Sequence, residues 1–201
     1  MRLPLSSLQA TLAERLGARS PVEVVPEPGE GAVAPQLAAV AVIFAPGPDS
    51  VLLIRRAERE GDPWSGHVGL PGGRHSETDA DLCVTAMRET VEEVGCTLSR
   101  DDLLGTLDDV WPLTPPPRMI VVRPFVFWLP QRPALSPNRE VADAFWVALG
   151  ELRDPTIYRE TALLLRGQER HFPAYHLGPR DIVWGLTERI LTPLLELTRQ
   201  R

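Results

Sequence analysis

Between positions 88 and 95 the chain reads Arg-Glu-Thr-Val-Glu-Glu-Val-Gly. At roughly 100° of rotation per residue, Glu89, Glu92 and Glu93 fall within an arc of about 100° on one helix face. Carboxylates gathered so closely repel one another unless a cation sits among them. An all-oxygen donor set suits a hard ion, Mg²⁺ or Mn²⁺, which makes Glu89, Glu92 and Glu93 candidate metal ligands. Arg88 stands four residues before Glu92, where an i,i+4 pair orients the carboxylate and offsets part of its charge. Gly72 and Gly73 permit close backbone approach to a ligand, so the Gly73 carbonyl is a further candidate donor. By themselves the three glutamates also describe an ordinary solvated helix face. The glycine pair, the Arg-Glu step and Gly95 set them apart.

Those residues need a scaffold, and the hydrophobic pattern supplies one. Residues Asp79 to Val94 carry Leu82, Ala86 and Val94 among charged neighbours and stop at Gly95, as a helix does. Strands are expected over Leu37 to Ala45 and Val51 to Arg56, joined by a hairpin turn through Pro46, Gly47, Pro48 and Asp49. Further strands are expected over Leu103 to Trp111, Met119 to Leu129 and Val141 to Val147, with proline-rich Pro112 to Pro117 between the first two. Residues 182 to 197 return to helical spacing, with Pro193 expected to kink or end the run. At the other end, Leu8, Leu12 and Leu16 mark a short amphipathic helix over residues 6 to 16, suited to packing or dimerisation. Residues 18 to 35 are rich in Pro and Gly and read as an extended connector, which divides the chain into 1–35 and a main domain, 36–201. Strands, one helix, more strands and a closing helix define an α/β layered fold with helices against a mixed sheet.

Bulk properties narrow the function. A chain of 201 residues, 43% hydrophobic and 24% charged, forms one sizeable core more readily than two. The net charge of −6 argues against broad nucleic-acid binding, which needs clustered Lys and Arg, yet leaves room for a small anionic substrate bound through cations. With only Cys83 and Cys96, a disulfide framework is not expected and a reducing, cytoplasmic compartment is. The longest apolar run, Leu37 to Ala45, is about half the roughly 20 residues that span a bilayer, so no membrane association is expected.

The segment from Gly73 to Thr97 resembles the Nudix hydrolase motif: Gly, five residues, Glu, seven residues, Arg-Glu, apolar, any, Glu-Glu, any, Gly, apolar. Arg88, Glu89, Glu92, Glu93 and Gly95 meet the fixed positions of its second half in order, with Val91 at an unrestricted one. The first half departs: Asp79 replaces the first Glu, and one extra residue separates it from Arg88. Cys96 takes an apolar position, where a buried thiol behaves as a small hydrophobe. The resemblance implies a Nudix fold, a mixed β-sheet sandwiched between α-helices. It also implies Mg²⁺ or Mn²⁺ bound by the motif helix and a water attacking phosphorus in a nucleoside diphosphate derivative. Glu93 is the first choice for the metal nearest that water, Glu92 and Arg88 act beside it, and Glu140 is a candidate general base, or else an exposed loop carboxylate.

Upstream, Leu52-Leu53-Ile54-Arg55-Arg56-Ala57, Gly66 and Leu70-Pro71-Gly72-Gly73 are similar to the coenzyme A diphosphatase branch of that family. Leu70, the longer Arg56-to-Gly66 spacing and the absence of an Arg between them at the expected place depart from it. Arg55, Arg56 and Arg59 are candidate phosphate ligands, because a guanidinium holds phosphate oxygens bidentately. Trp64 is a candidate for stacking on a base, or else core, while His67, Trp184, Phe125, Phe127 and Trp128 read first as packing residues. The expected substrate is CoA or a CoA derivative. The alternatives are ADP-ribose, a nucleotide sugar or another nucleoside polyphosphate, or a non-catalytic nucleotide-sensing module. The terminal helices present apolar faces through which a homodimer would form.

Overall fold

The computed structural model describes residues 7–23, 35–61, 64–112, 120–165 and 167–199. Its order is α1 (Ser7–Gly17), β1 (Gln36–Ala45), β2 (Ser50–Arg56), β3 (Val68–Gly69), β4 (Gly72–Arg74), α2 (Leu82–Val94) and a 3₁₀ turn at Arg100–Asp102. There follow β5 (Leu103–Thr106), β6 (Ile120–Trp128), β7 (Val141–Ala148), α3 (Leu149–Leu152), β8 (Tyr158–Leu165), β9 (Gln168–His176), β10 (Ile182–Trp184) and α4 (Gly185–Leu197). Most of the connector, the first part of the 62–67 loop and residues 113–119, which hold most of the proline-rich run and the expected strand start at Met119, lie outside the described residues.

Seven strands form one mixed sheet. β1 runs parallel to β6 along its whole length, while the β1–β2, β1–β4, β2–β3, β2–β7 and β5–β6 pairs are antiparallel. The central strands are buried on both faces and therefore read as continuous apolar runs. Alternation sorts them cleanly. Val42, Phe44, Val51, Leu53, Val126 and Trp128 face α1, α3 and α4, whereas Ala41, Ile43, Leu52, Ile54, Phe125 and Phe127 face α2. The sheet thus lies between helical layers, as the motif resemblance implied.

Several elements differ from the sequence expectation. The helix starts at Leu82 rather than Asp79, because the Asp81 side chain accepts a hydrogen bond from the Val84 N–H at 2.9 Å and caps it. The 103–111 strand stops at Thr106; Asp109 turns inward to Arg123, with two bonds of 2.8 and 3.0 Å. Residues 182–184 are not helical but form β10, the edge of a second, three-stranded antiparallel sheet, β10-β9-β8, that sequence reasoning missed. α4 continues through Pro193. A mid-helix proline costs about 3 kcal/mol, but Ile190, Leu191, Leu194 and Leu195 are all buried around it, each contributing roughly 1.5–3 kcal/mol. Leu8, Leu12 and Leu16 are buried in the same core, so the apolar faces of α1 and α4 are occupied within the chain.

Candidate active site

The site lies where α2 crosses β4. Cys83, Ala86, Thr90 and Val94 form the buried stripe of α2, and Glu93 sits on that stripe, its side chain only 5% exposed. Gly72 explains how a carboxylate survives there: its N–H donates to Glu93 Oε2 at 2.9 Å. Gly72 itself is obligatory, because at φ 153° a Cβ would stand 2.3 Å from the Ala39 carbonyl oxygen and 2.6 Å from Val40 Cα. Gly73 is open for a different reason. A Cβ there would meet the Glu89 carboxyl carbon at 2.3 Å, so the missing side chain is the cradle for Glu89. The two glycines therefore seat two of the three motif glutamates.

The three carboxylates occupy different depths. Exposure rises from 5% for Glu93 to 18% for Glu89 and 54% for Glu92. Burial is the main cause that pushes Glu93 up to about 7. The Gly72 N–H and Arg56 pull it down, and the Glu89 and Glu140 charges push it further up. Burial likewise raises Glu89 above its ordinary value, against the opposing pull of Arg88.

Arg88 joins the motif to the loop before the helix. Its Nε and Nη2 donate to the two oxygens of Asp79 at 2.9 and 3.0 Å, Nη1 donates to Glu89 at 2.9 Å and to Glu92 at 3.2 Å, and Nη2 also reaches the Arg74 carbonyl at 3.2 Å. The guanidinium holds the Asp79 carboxyl far below the usual carboxylate range. Asp79, which stands in place of the motif's first Glu, is thus the anchor of Arg88. Its position outside the helix also absorbs the extra residue of spacing: it folds back through Ser76 and Thr85, which donate to it at 3.1 and 2.9 Å.

The arginines of β2 separate by strand alternation. Arg56 lies on the α2 face, with Nη1 4.0 Å from Glu93 Oε1. Arg55 points to the opposite face and pairs with Asp181 at 2.8 Å and Asp143 at 2.9 Å, so its observed contacts tie β2 to the segment before β10. Arg59, on the exposed loop after β2, pairs with Glu140 at 3.3 Å. The Glu140 carbonyl in turn accepts from the Ala57 N–H at 2.8 Å, which holds that carboxylate beside the β2 end of the site. Trp64 is half-buried at the turn whose carbonyl accepts from the His67 N–H at 3.2 Å.

The donor set fits a hard divalent ion. Glu89 and Glu93 are oxygen donors with raised proton affinity, a condition a cation relieves, and the glycine pair seats both without a side chain between them. Among the described residues no three acidic, His or Cys side chains are already drawn together as a ligand set, since Glu92 leans on Arg88.

A mixed sheet between helices, with an acidic helix face seated on a glycine pair and arginines beside it, defines the class as an α/β domain. Comparison with known proteins gives that class its family. The NUDIX domain profile matches residues 34–175, and the chain belongs to the Nudix family. A Nudix hydrolase named NudL from Pectobacterium atrosepticum is 32% identical over 162 residues, 78% of this chain and 80% of that protein. The human protein named mitochondrial coenzyme A diphosphatase NUDT8 is 32% identical over 154 residues, 75% of this chain and 64% of its own. A Schizosaccharomyces pombe protein is 42% identical over 113 residues, 52% of this chain, and the match spans only 33% of that longer relative. In structure, a MutT/nudix family protein from Enterococcus faecalis superposes with a TM-score of 0.57 at 18% identity, covering 94% of this chain and 73% of its own. The names of these relatives support the expected enzyme class, a hydrolase of phosphoric anhydrides.

Proposed function

We propose that the chain hydrolyses the diphosphate linkage of a nucleoside diphosphate derivative, CoA or a CoA derivative, with Mg²⁺ or Mn²⁺ as cofactor. The observation that carries this reading is the seating of Glu93 on the Gly72 N–H and of Glu89 in the space left by Gly73. It fixes two hard oxygen donors, with Arg56 4.0 Å from Glu93 and Arg59 on the neighbouring loop beside Glu140. The substrate assignment draws on the Arg56-Ala57 and Pro71-Gly72-Gly73 steps and on the name of the human relative.

In this reading Glu89, Glu92, Glu93 and the Gly73 carbonyl hold the metal, which when bound neutralises diphosphate oxygens and lowers the pKa of an attacking water. Arg56 and Arg59 orient phosphate oxygens. Arg88, fixed by Asp79, holds Glu89 and Glu92 in position. Glu140 takes the proton of the attacking water on a carboxylate oxygen, and Arg59 holds that carboxylate in place until substrate arrives. Arg55, committed to Asp181 and Asp143, supports the site from behind β2.

Cys83 and Cys96 are buried free thiols, which agrees with the reducing, cytoplasmic compartment proposed for this chain. No helix among the described residues is long and apolar enough to cross a membrane. The test is a screen of the purified protein with Mg²⁺ and Mn²⁺ against CoA, acyl-CoA, ADP-ribose, NADH and nucleotide sugars, with products identified by mass. Formation of 3′,5′-ADP and phosphopantetheine from CoA supports the assignment; preferred turnover of ADP-ribose or a nucleotide sugar replaces it with the alternative substrate.

A further inference from the structure

Two cavities open outside the seat of the glutamates. The larger, about 420 Å³, lies beside the start of α2, and its cations are already engaged, Arg100 with Asp81 and Arg123 with Asp109 and Glu23. The smaller, about 220 Å³, is of a different character. It lies between the Gly66-His67 turn and the second sheet, lined by Leu163, Leu164, Leu165, Ile182 and Trp184 with Arg180 at its rim.

Three observations mark this pocket as a ligand site. Leu164 is 74% exposed, the most exposed large hydrophobic residue described. Trp184, expected to be a core anchor, is only half-buried; its ring stands edge-on to His67 at 4.9 Å and 66° and against Phe172 at 5.3 Å. The walls are also tied to the site by short links. The Arg56 N–H donates to the His67 carbonyl at 3.0 Å while the Arg56 guanidinium lies 4.0 Å from Glu93, and Arg55 holds Asp181, next to Arg180.

We propose that this pocket receives an aliphatic chain carried on the second phosphate of the substrate. Size and chemistry select that occupant. Pockets that enclose a whole small ligand run to roughly 300–1,000 Å³, so this one holds only part of a molecule. Four aliphatic walls offer no directional hydrogen bonds to a base edge, and the Trp184 ring is already engaged by His67 and Phe172. The pocket lies around the β3 edge from Glu93, with Thr187 of α4 beside Gly69, so the occupant must be long enough to pass that strand. The inference rests on the proposed diphosphate chemistry for its substrate, but its test does not depend on turnover.

Binding of CoA, octanoyl-CoA and ADP-ribose is measured by calorimetry in EDTA; the first two ligands differ from the third in the chain they carry and in the ribose 3′-phosphate, and the pocket variants separate the two, since only a gain that comes from the chain is lost in them. Burying about two methylenes is enough for a tenfold gain. CoA or octanoyl-CoA is expected to bind at least tenfold tighter than ADP-ribose; a gain already present in CoA assigns the pantetheine arm to the pocket, and one seen only with octanoyl-CoA assigns the acyl chain. Leu164→Glu, at an exposed position that spares the fold, and Trp184→Ala should each remove that gain and leave ADP-ribose binding within twofold. Equal affinities for all three ligands, or a gain that survives Leu164→Glu, would overturn the proposal even if CoA is hydrolysed. A gain that is present and lost in the variants, in a protein that cleaves none of these compounds, would keep the pocket and defeat the hydrolase reading.

Discussion

Arg88 grips Asp79 through two nearly parallel hydrogen bonds of 2.9 and 3.0 Å, in a setting where the Asp79 side chain is only 3% exposed. That pair links the loop after β4 to the centre of the motif helix. Removing Asp79 takes away the partner of Arg88 Nε and the acceptor of the Ser76 N–H and Thr85 hydroxyl in poor solvent, although Glu89 and Glu92 still meet Nη1. Asp79→Ala should therefore cost about 3 kcal/mol, at the low end for a buried pair because Arg88 is partly exposed. Because the folded-state value lies below the ordinary 3.8, the stabilisation is present above pH 4 and fades as the pH falls below it. Urea unfolding of both proteins at pH 7 and pH 3 checks this; an equal gap at both pH values would contradict it.

Glu93 gives the opposite sign. Its folded value is raised from 4.5 to about 7, so ionisation opposes folding, and the penalty grows from about pH 4.5 and is complete above about pH 7. In metal-free protein, Glu93→Gln should match the wild type at pH 4.5 and exceed it at pH 8, by on the order of 3 kcal/mol. Added Mn²⁺ should narrow the gap at pH 8 by stabilising only the wild type. Thermal or urea unfolding with and without EDTA reads both effects, and a Glu93→Gln protein less stable at pH 8 would oppose the burial argument.

The glycine pair separates backbone constraint from site constraint. Gly72→Ala forces a Cβ into the β1 backbone and should prevent normal folding. Gly73→Ala meets only the end of the Glu89 side chain, which can move, so the fold should persist while Mn²⁺ binding weakens about 10–100-fold, the range seen when a ligand's support is lost. Circular dichroism and Mn²⁺ titration by electron paramagnetic resonance distinguish the two. Unchanged Mn²⁺ affinity in Gly73→Ala would remove Glu89 from the ligand set.

Arg59 and Glu140 form a pair with divided duties. Glu140→Gln should lower kcat roughly 100-fold or more, as loss of a general base does. Arg59→Ala should instead raise KM through loss of a phosphate contact. Steady-state kinetics separate these effects; a Glu140→Gln enzyme with a normal kcat would return Glu140 to the role of an exposed loop carboxylate.

Much of this is legible from residue type and spacing. The central strands are continuous apolar runs and the motif helix has its charged face and terminal glycine, so both stand out in sequence. The second sheet does not. β8 is mostly exposed and mixes Arg159, Glu160 and Thr161 with leucines, while β9 contains Pro173, which weakens a strand reading. Gly167 at φ 76°, between two runs of strand-forming residues, is the available turn signal. Equally hidden is the division of labour within the motif. Helical rotation places Glu89, Glu92 and Glu93 on one face, but their depth depends on β4 passing beneath, and the Asp79 contact depends on a loop folding back. Trp184 reads as packing in sequence because periodicity cannot distinguish a buried ring from one lining a pocket.

The most direct measurement is the rate of CoA cleavage by wild-type and Glu93→Gln protein in EDTA and after return of Mg²⁺ or Mn²⁺. The metal-held carboxylate site predicts no turnover by either protein in EDTA, full recovery of the wild type on adding metal, and a Glu93→Gln rate at least about 100-fold lower than wild type once metal is returned, since a metal site supplies several kcal/mol of transition-state stabilisation. Both proteins should show cooperative unfolding. Turnover that persists in EDTA, or a folded Glu93→Gln protein with near-normal activity, would contradict it.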